Sequence, residues 1–193
     1  MRIRPVCTAL LVAGLLGAAT GCGAAGDGAV VPAAAGAASG SPTASTGASA
    51  SASAAPATVP KSLTFEAKTL AGQPFKGATL AGRPTVLWFW APWCATCAGQ
   101  ASSVAELSAQ YGDRVGFVGV AGLGELPAMK DFVKEFSLQQ VTQLNDRAGT
   151  VWRRFQVAEQ STFVILDKDG RVTHRGWLDS QEFEQKVAAL AAA

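Results

Sequence analysis

Apolar positions along this chain change spacing several times, and each spacing predicts an element. Thr85-Val86-Leu87-Trp88-Phe89-Trp90-Ala91 is a continuous apolar run of strand length, the pattern of a central strand buried on both faces. Residues 115–121 and 162–166 are two more short apolar runs. Leu63 and Phe65 alternate with Thr64 and Glu66, which predicts a half-buried strand, and Gly72-Gln73 and Gly77 mark a hairpin there. Val104, Leu107 and Tyr111 recur at helical spacing and predict a helix over 98–111. Met129, Phe132, Val133 and Phe136 predict another over 126–136, and Phe183, Val187 and Leu190 a last one. Residues 149–155 suit a short helix. Asp167-Lys168-Asp169-Gly170 is a hairpin turn leading into a strand over 171–177. After the N-terminal hairpin the order is β-α-β-α-β-β-α, an α/β sandwich with one central mixed sheet flanked by helices.

The first 60 residues follow no such pattern. Arg2 and Arg4 precede an uncharged, mostly apolar stretch over 6–19 and then small residues. This is the layout of an export signal, and it is too short to span a membrane as a mature helix. Ala19-Thr20-Gly21-Cys22 resembles the lipobox of bacterial lipoproteins. The resemblance implies a signal peptide over 1–21 and diacylglycerol on Cys22, with an ordinary secreted protein as the alternative. From Gly23 to Pro60, 34 of 38 residues are Gly, Ala, Ser, Thr or Pro. Such a stretch buries too little to offset its ordering entropy. Residues 22–60 are therefore expected to be a disordered tether with a span of about 35 Å, leaving one folded domain over 61–193.

Charge narrows the partners. The formal net charge is +2, and two of the 16 basic residues, Arg2 and Arg4, fall in the signal. The remaining 14 basic residues balance 14 acidic ones, which argues against a nucleic-acid binder.

The candidate chemistry is Trp93-Cys94-Ala95-Thr96-Cys97. The pair follows a buried strand and opens a helix. Cys94 at a helix N-terminus would have its thiolate stabilised by unpaired N–H groups and the dipole. Cys97, one turn in, would be shielded but close enough for a Cys94–Cys97 disulfide. On that reading Cys94 attacks and Cys97 resolves the mixed disulfide. Three alternatives stay open. A zinc half-site would need a second ligand pair, for which only His174 and two N-terminal cysteines offer themselves; a structural disulfide would close only a four-residue loop; the pair could also be coincidental. Cys7 leaves with the signal and Cys22 is acylated on the lipobox reading, so the mature chain would hold one reactive pair.

Phe89 to Cys97 resembles the active-site segment of the thioredoxin superfamily, and within it the extracytoplasmic TlpA/ResA/DsbE-like proteins. Gly116 to Val120 and Leu144-Asn145-Asp146 to Val157 are similar to actinobacterial DsbE-like secreted proteins, and the likeness covers about residues 63–190. It implies a thioredoxin-like fold and thiol–disulfide exchange with exported proteins, without metal or organic cofactor. Trp93, Ala95, Thr96, Gln100, Gln160 and Ser161 then surround the dithiol. Three departures stand out. Ser161 falls where the family has a cis-proline; a serine keeps that form at a cost of about 3–4 kcal/mol, so the loop either keeps it or is remodelled. If the form is kept, Ser161→Pro should raise exchange with peptide disulfides at little cost to stability, and the serine should leave the dithiol face open to water or metal. Trp88 and Gln100 occupy the places where relatives carry a buried carboxylate, with Glu66 and Glu159 as conceivable substitutes. Ala95-Thr96 brings no charge to Cys94, so the helix end is expected to be the main support of its thiolate.

The combined expectation is a lipid-anchored thiol–disulfide oxidoreductase on the outer face of the cell membrane, with a membrane redox partner and the oxidative direction favoured. The alternatives are a reductase serving cytochrome c or metal-site assembly, and a copper chaperone like the Sco proteins. The latter use Cys-x-x-x-Cys, one residue longer than the spacing here. Trp88 and Trp90 are expected to be core and rim packing, and His174 to point outward from a strand.

Overall fold

The computed structural model describes residues 59–193. The predicted signal, Cys22 and the tether up to residue 58 lie outside the described residues. Among the described residues, no helix is long and apolar enough to cross a membrane.

The predicted hairpin is present as β1 (Glu66–Lys68) and β2 (Pro74–Lys76), an antiparallel pair with Phe75 opposite Ala67. Gly72 takes φ +84° between them, a turn conformation that glycine adopts without strain. The strand does not reach back to Leu63 as the alternation suggested. Lys61–Leu63 is a 3-10 turn, and Leu63 is buried beneath it. Arg154 holds this turn by donating to the Ser62 carbonyl at 3.0 Å, a long-range contact that alternation cannot register.

The apolar run at 85–90 forms β3 (Thr85–Trp90), and every residue in it is buried. It sits at the centre of a five-stranded sheet with β4 (Gly116–Ala121), β5 (Thr142–Asn145), β6 (Thr162–Leu166) and β7 (Val172–Gly176), in the order β5-β4-β3-β6-β7. The β3–β4 and β4–β5 pairs are parallel, and the β3–β6 and β6–β7 pairs antiparallel. Successive residues of a strand face opposite ways. Val86, Trp88 and Trp90 accordingly pack on one side, with residues of α1 (Ala95–Tyr111), α2 (Leu126–Glu135) and α4 (Ser180–Ala192). Leu87 and Phe89 pack on the other, with Trp152 of α3 (Thr150–Arg154) and Phe155. The core thus has two layers, as expected of an α/β sandwich. Trp90 belongs fully to it rather than to the rim: it is buried, stacks on Phe132 at 4.5 Å, and donates from Nε1 to Gln143 Oε1 at 2.9 Å.

The strand order carries one addition, β5. Its sequence Thr-Gln-Leu-Asn has a single aliphatic residue, so no apolar run announces it. It is an edge strand anchored by backbone pairing to β4 and by Leu70 N–H donating to the Gln143 carbonyl at 2.9 Å.

Candidate active site

The site lies where β3 gives way to α1. Cys94 is the N-cap of that helix, with extended backbone angles, and its sulfur accepts the Cys97 N–H at 3.1 Å. A thiolate here replaces the oxygen acceptor of an ordinary N-cap and meets N–H groups that have no helical partner. Cys94 is 6% exposed and Cys97 wholly buried, and both are free thiols.

Register brings a second segment to the pair. β6 runs antiparallel to β3 with Phe89 opposite Thr162, so the residue preceding β6 lies beside the end of β3. That residue is Ser161. It is buried, and its Oγ stands 3.1 Å from Cys94 Sγ and 3.2 Å from Cys97 Sγ. The dithiol face expected to be open is instead occupied by a hydroxyl. Ser161 has φ +62°, whereas proline is locked near −65°. The backbone at Ser161 thus does not suit proline, which favours the second alternative, a remodelled loop that proline would strain.

Gln100 secures this arrangement from below. Its Oε1 accepts from Trp88 Nε1 at 2.9 Å, and its Nε2 donates to the carbonyls of Ser161 at 3.3 Å and Leu178 at 3.5 Å. Both amide protons are engaged by protein, so Gln100 orients the loop rather than a water. Glu66 lies exposed on β1 and Glu159 exposed in the loop before Ser161, and neither hydrogen-bonds a sulfur. Neither conceivable substitute carboxylate contacts the dithiol, although Glu159 lines the groove beside it.

The two sulfurs differ electrostatically. Burial pushes the Cys94 thiol up, but hydrogen bonds from the side chains of Cys97 and Ser161, and from the backbone of Cys97 and Thr96, outweigh it and hold it below the ordinary thiol value. The helix end supplies the two backbone donors, and the Cys97 and Ser161 side chains add support that the sequence reading did not include. Cys97 is pushed up to about 11 by burial first, then by its hydrogen bond to Cys94. A charge on one sulfur disfavours a charge on the other.

The surroundings are open and partly apolar. Ala95 and Thr96 are exposed. Trp93, next to Cys94 in the chain, is 61% exposed and donates from Nε1 to the Leu123 carbonyl at 2.6 Å. A groove of about 570 Å³ runs past Thr96, Gln160 and Ser161 to Arg175 and Trp177. His174 lies half-buried on β7, its Nε2 3.4 Å from the Gly176 carbonyl. Among the described residues, no three His, Cys, Asp or Glu side chains cluster as a metal site. Sequence placed Ser161 beside the dithiol through its departure from proline, but not the contact of its hydroxyl with both sulfurs.

A buried dithiol at the junction of a central strand and a helix, on this sheet order, defines a thiol–disulfide oxidoreductase with a thioredoxin-like fold. Residues 50–191 match the Redoxin family, and the chain belongs to it. It is 41% identical over 132 residues to the soluble secreted antigen MPT53 of Mycobacterium tuberculosis, which covers 66% of this chain and 75% of that protein. Two solved structures are similar. The structure of MTB dsbF in its mixed oxidized and reduced forms has a TM-score of 0.65 at 46% identity, covering 69% of this chain and 99% of its own. That of a secreted Mycobacterium tuberculosis disulfide oxidoreductase homologous to E. coli DsbE has a TM-score of 0.62 at 41% identity, covering 67% and 98%. The protein is thus a thiol–disulfide oxidoreductase carrying Cys94 and Cys97 as its Cys-x-x-Cys.

Proposed function

We propose that this protein exchanges disulfides with exported proteins outside the cytoplasm, held at the outer face of the membrane by lipid on Cys22, and that it works in the oxidative direction. Cys94 is the sulfur that meets the partner, and Cys97 resolves the mixed disulfide. The observation that carries this reading is the asymmetry of the pair. Cys94 is capped by N–H donors at a helix start and lowered, while Cys97 is wholly buried and raised. A stabilised Cys94 thiolate favours the reduced dithiol, and a disulfide whose reduced form is stabilised gives up its oxidising equivalents readily. The groove beside Ser161, with Trp177 exposed at its end, offers an extended peptide both apolar and polar contacts. A secreted relative, MPT53, supports an extracytoplasmic site of action.

Equilibration of the mature protein with glutathione buffers tests the direction. A potential near that of disulfide isomerases, about −180 mV or higher, supports oxidation; one near thioredoxin, about −270 mV, makes it a reductase. Cys22→Ala tests the anchor by cell fractionation. Release of the variant from membranes is expected, and a wild-type protein found wholly soluble with a different mature N-terminus would sink the lipid claim.

A further inference from the structure

Among the described residues no carboxylate hydrogen-bonds either sulfur, and a hydroxyl stands in contact with both. We propose that Ser161 Oγ is a catalytic hydrogen-bond donor shared by the two cysteines: it serves Cys94 while that sulfur carries the charge, and turns to Cys97 once Cys94 is tied up in a mixed disulfide. This rests on the exchange reading above and adds a group that neither the spacing of the cysteines nor the family motif supplies.

The geometry is nearly symmetric, 3.1 Å to Cys94 Sγ and 3.2 Å to Cys97 Sγ. A serine hydroxyl has one proton to donate and lone pairs to accept with, so it can favour only one anionic sulfur at a time. A charged partner makes such a bond roughly twice as strong as a neutral one. Ser161 is 7% exposed, so bulk water competes little for that proton. The backbone holds it in place: Ser161 sits at φ +62°, and its carbonyl receives Gln100 Nε2, itself held by Trp88. The other ionisable groups facing the site are Glu159 of the loop and Arg175 of β7, which line the adjoining groove. Neither hydrogen-bonds a sulfur, and α1 has no acidic residue in its first turn.

The resolving step balances as Cys97–SH plus Cys94–S–S–R giving Cys94–S–S–Cys97 plus R–SH. The Cys97 sulfur supplies the electron pair of the new bond to Cys94 Sγ. The bond from Cys94 Sγ to the partner's sulfur breaks, and that sulfur leaves with its pair and takes up the proton that Cys97 lost. The Ser161 proton is not consumed; it is donated as a hydrogen bond to the Cys97 sulfur as charge gathers there. In the reverse direction a partner thiolate attacks Cys94 Sγ, the Cys94–Cys97 bond breaks, and Cys97 leaves as a thiolate that keeps the electron pair and accepts a hydrogen bond from the same hydroxyl.

Ser161→Ala and Ser161→Gly test this in the mature protein. Glycine accepts φ +62° without strain, so at least one hydroxyl-free variant keeps the loop. Two readouts are measured beside thermal midpoints. The first is the pH dependence of iodoacetamide alkylation of Cys94. The second is the rate at which thionitrobenzoate, loaded on Cys94 as a mixed disulfide, is released by Cys97. The expected result is a Cys94 titration moved to higher pH and release slowed several-fold in both variants. An unchanged titration and an unchanged release rate in the glycine variant overturn the proposal, and a moved titration with unchanged release overturns the turn to Cys97. A wild-type protein that releases thionitrobenzoate yet exchanges with no protein disulfide would instead sink the exchange reading while leaving the hydroxyl's role standing.

Discussion

Gln100 holds the Ser161 carbonyl through its Nε2 at 3.3 Å while its Oε1 accepts from Trp88 Nε1 at 2.9 Å. One buried amide therefore ties the strand under the site to the loop over it. Gln100→Leu is expected to destabilise the protein by about 1–3 kcal/mol, the cost of leaving a buried indole N–H without an acceptor. Gln100→Glu should behave differently with pH. It keeps an acceptor for Trp88, but its carboxylate faces the Ser161 and Leu178 carbonyls. Only the protonated acid can donate to them. That raises the folded-state pKa of the new carboxyl, so its stabilising contribution is whole below the ordinary glutamate value near 4.3 and lost as pH rises. Denaturant midpoints of the Glu variant relative to wild type should fall from pH 4 to pH 8, and a flat difference would show that the amide does not orient the loop.

Ser161→Pro should unsettle the same loop. The observed φ of +62° lies outside the range of proline. A substitution incompatible with the native backbone costs more than about 1 kcal/mol. The thermal midpoint is expected to drop, and exchange with peptide disulfides to fall with it. A proline variant that is as stable as wild type and exchanges faster would show that the loop adopts the relatives' form with ease.

Most of the fold could be read from residue patterns because its decisive elements are buried on both faces. β3 shows as an unbroken apolar run, and the helices on one side of the sheet show as stripes at helical spacing. The dithiol was legible for a local reason: strand, two cysteines and helix follow one another directly. β5 was not, since its identity depends on a partner. Gln143 reads as a surface residue yet is buried, because its Oε1 receives Trp90 Nε1 from across the sheet. Ser161 was legible only as an oddity. Its function depends on the register of β6 against β3, which brings together residues 67 positions apart, and no local pattern encodes that.

The Trp90–Gln143 pair makes its own prediction at Gly119 of β4. A Cβ there would collide with Gln143 Oε1 and lie 2.9 Å from Trp90 Nε1. Gly119→Ala must displace the amide and leave the indole N–H unpaired. The expected loss is about 1–3 kcal/mol for the unsatisfied group, with overpacking adding a similar amount. Urea unfolding measures it. A loss below about 0.5 kcal/mol, the ordinary range of surface changes, would mean that the pair is not formed.

The two thiols give reduced protein a pH signature of opposite signs. Cys94 is lowered in the fold, so its contribution is present above the ordinary thiol value near 9 and is lost as pH falls through its folded value. Cys97 is raised to about 11, so its contribution is whole below about 9 and lost as pH rises towards 11. Reduced protein should therefore lose stability between pH 9 and about 11, with a slope no steeper than about 1.4 kcal/mol per pH unit for a single proton. Cys97→Ala should lack this loss relative to wild type. Oxidised protein, with no thiol to titrate, should lack it too. Denaturant melts of the three forms across that range decide the matter, and a loss that persists in the alanine variant would assign it to another group.

The division of labour between the sulfurs is the last expectation. Cys94 accepts the Cys97 N–H at the helix start and retains a small exposed area, whereas Cys97 has none. A partner sulfur can approach only the former, and attack requires a thiolate, which is favoured at Cys94 and disfavoured at Cys97. Cys94→Ser should abolish exchange with a protein disulfide. Cys97→Ser should still attack but be unable to release its partner, so mixed disulfides accumulate through Cys94. Serine in place of Cys97 also leaves Ser161 beside an oxygen that cannot become a good nucleophile at neutral pH, so the trapped species should persist until an added thiol frees it. Non-reducing gels and peptide mapping of the trapped complexes identify the linked cysteine. Complexes trapped through Cys97 in a Cys94→Ser protein, and none through Cys94, would reverse the assignment.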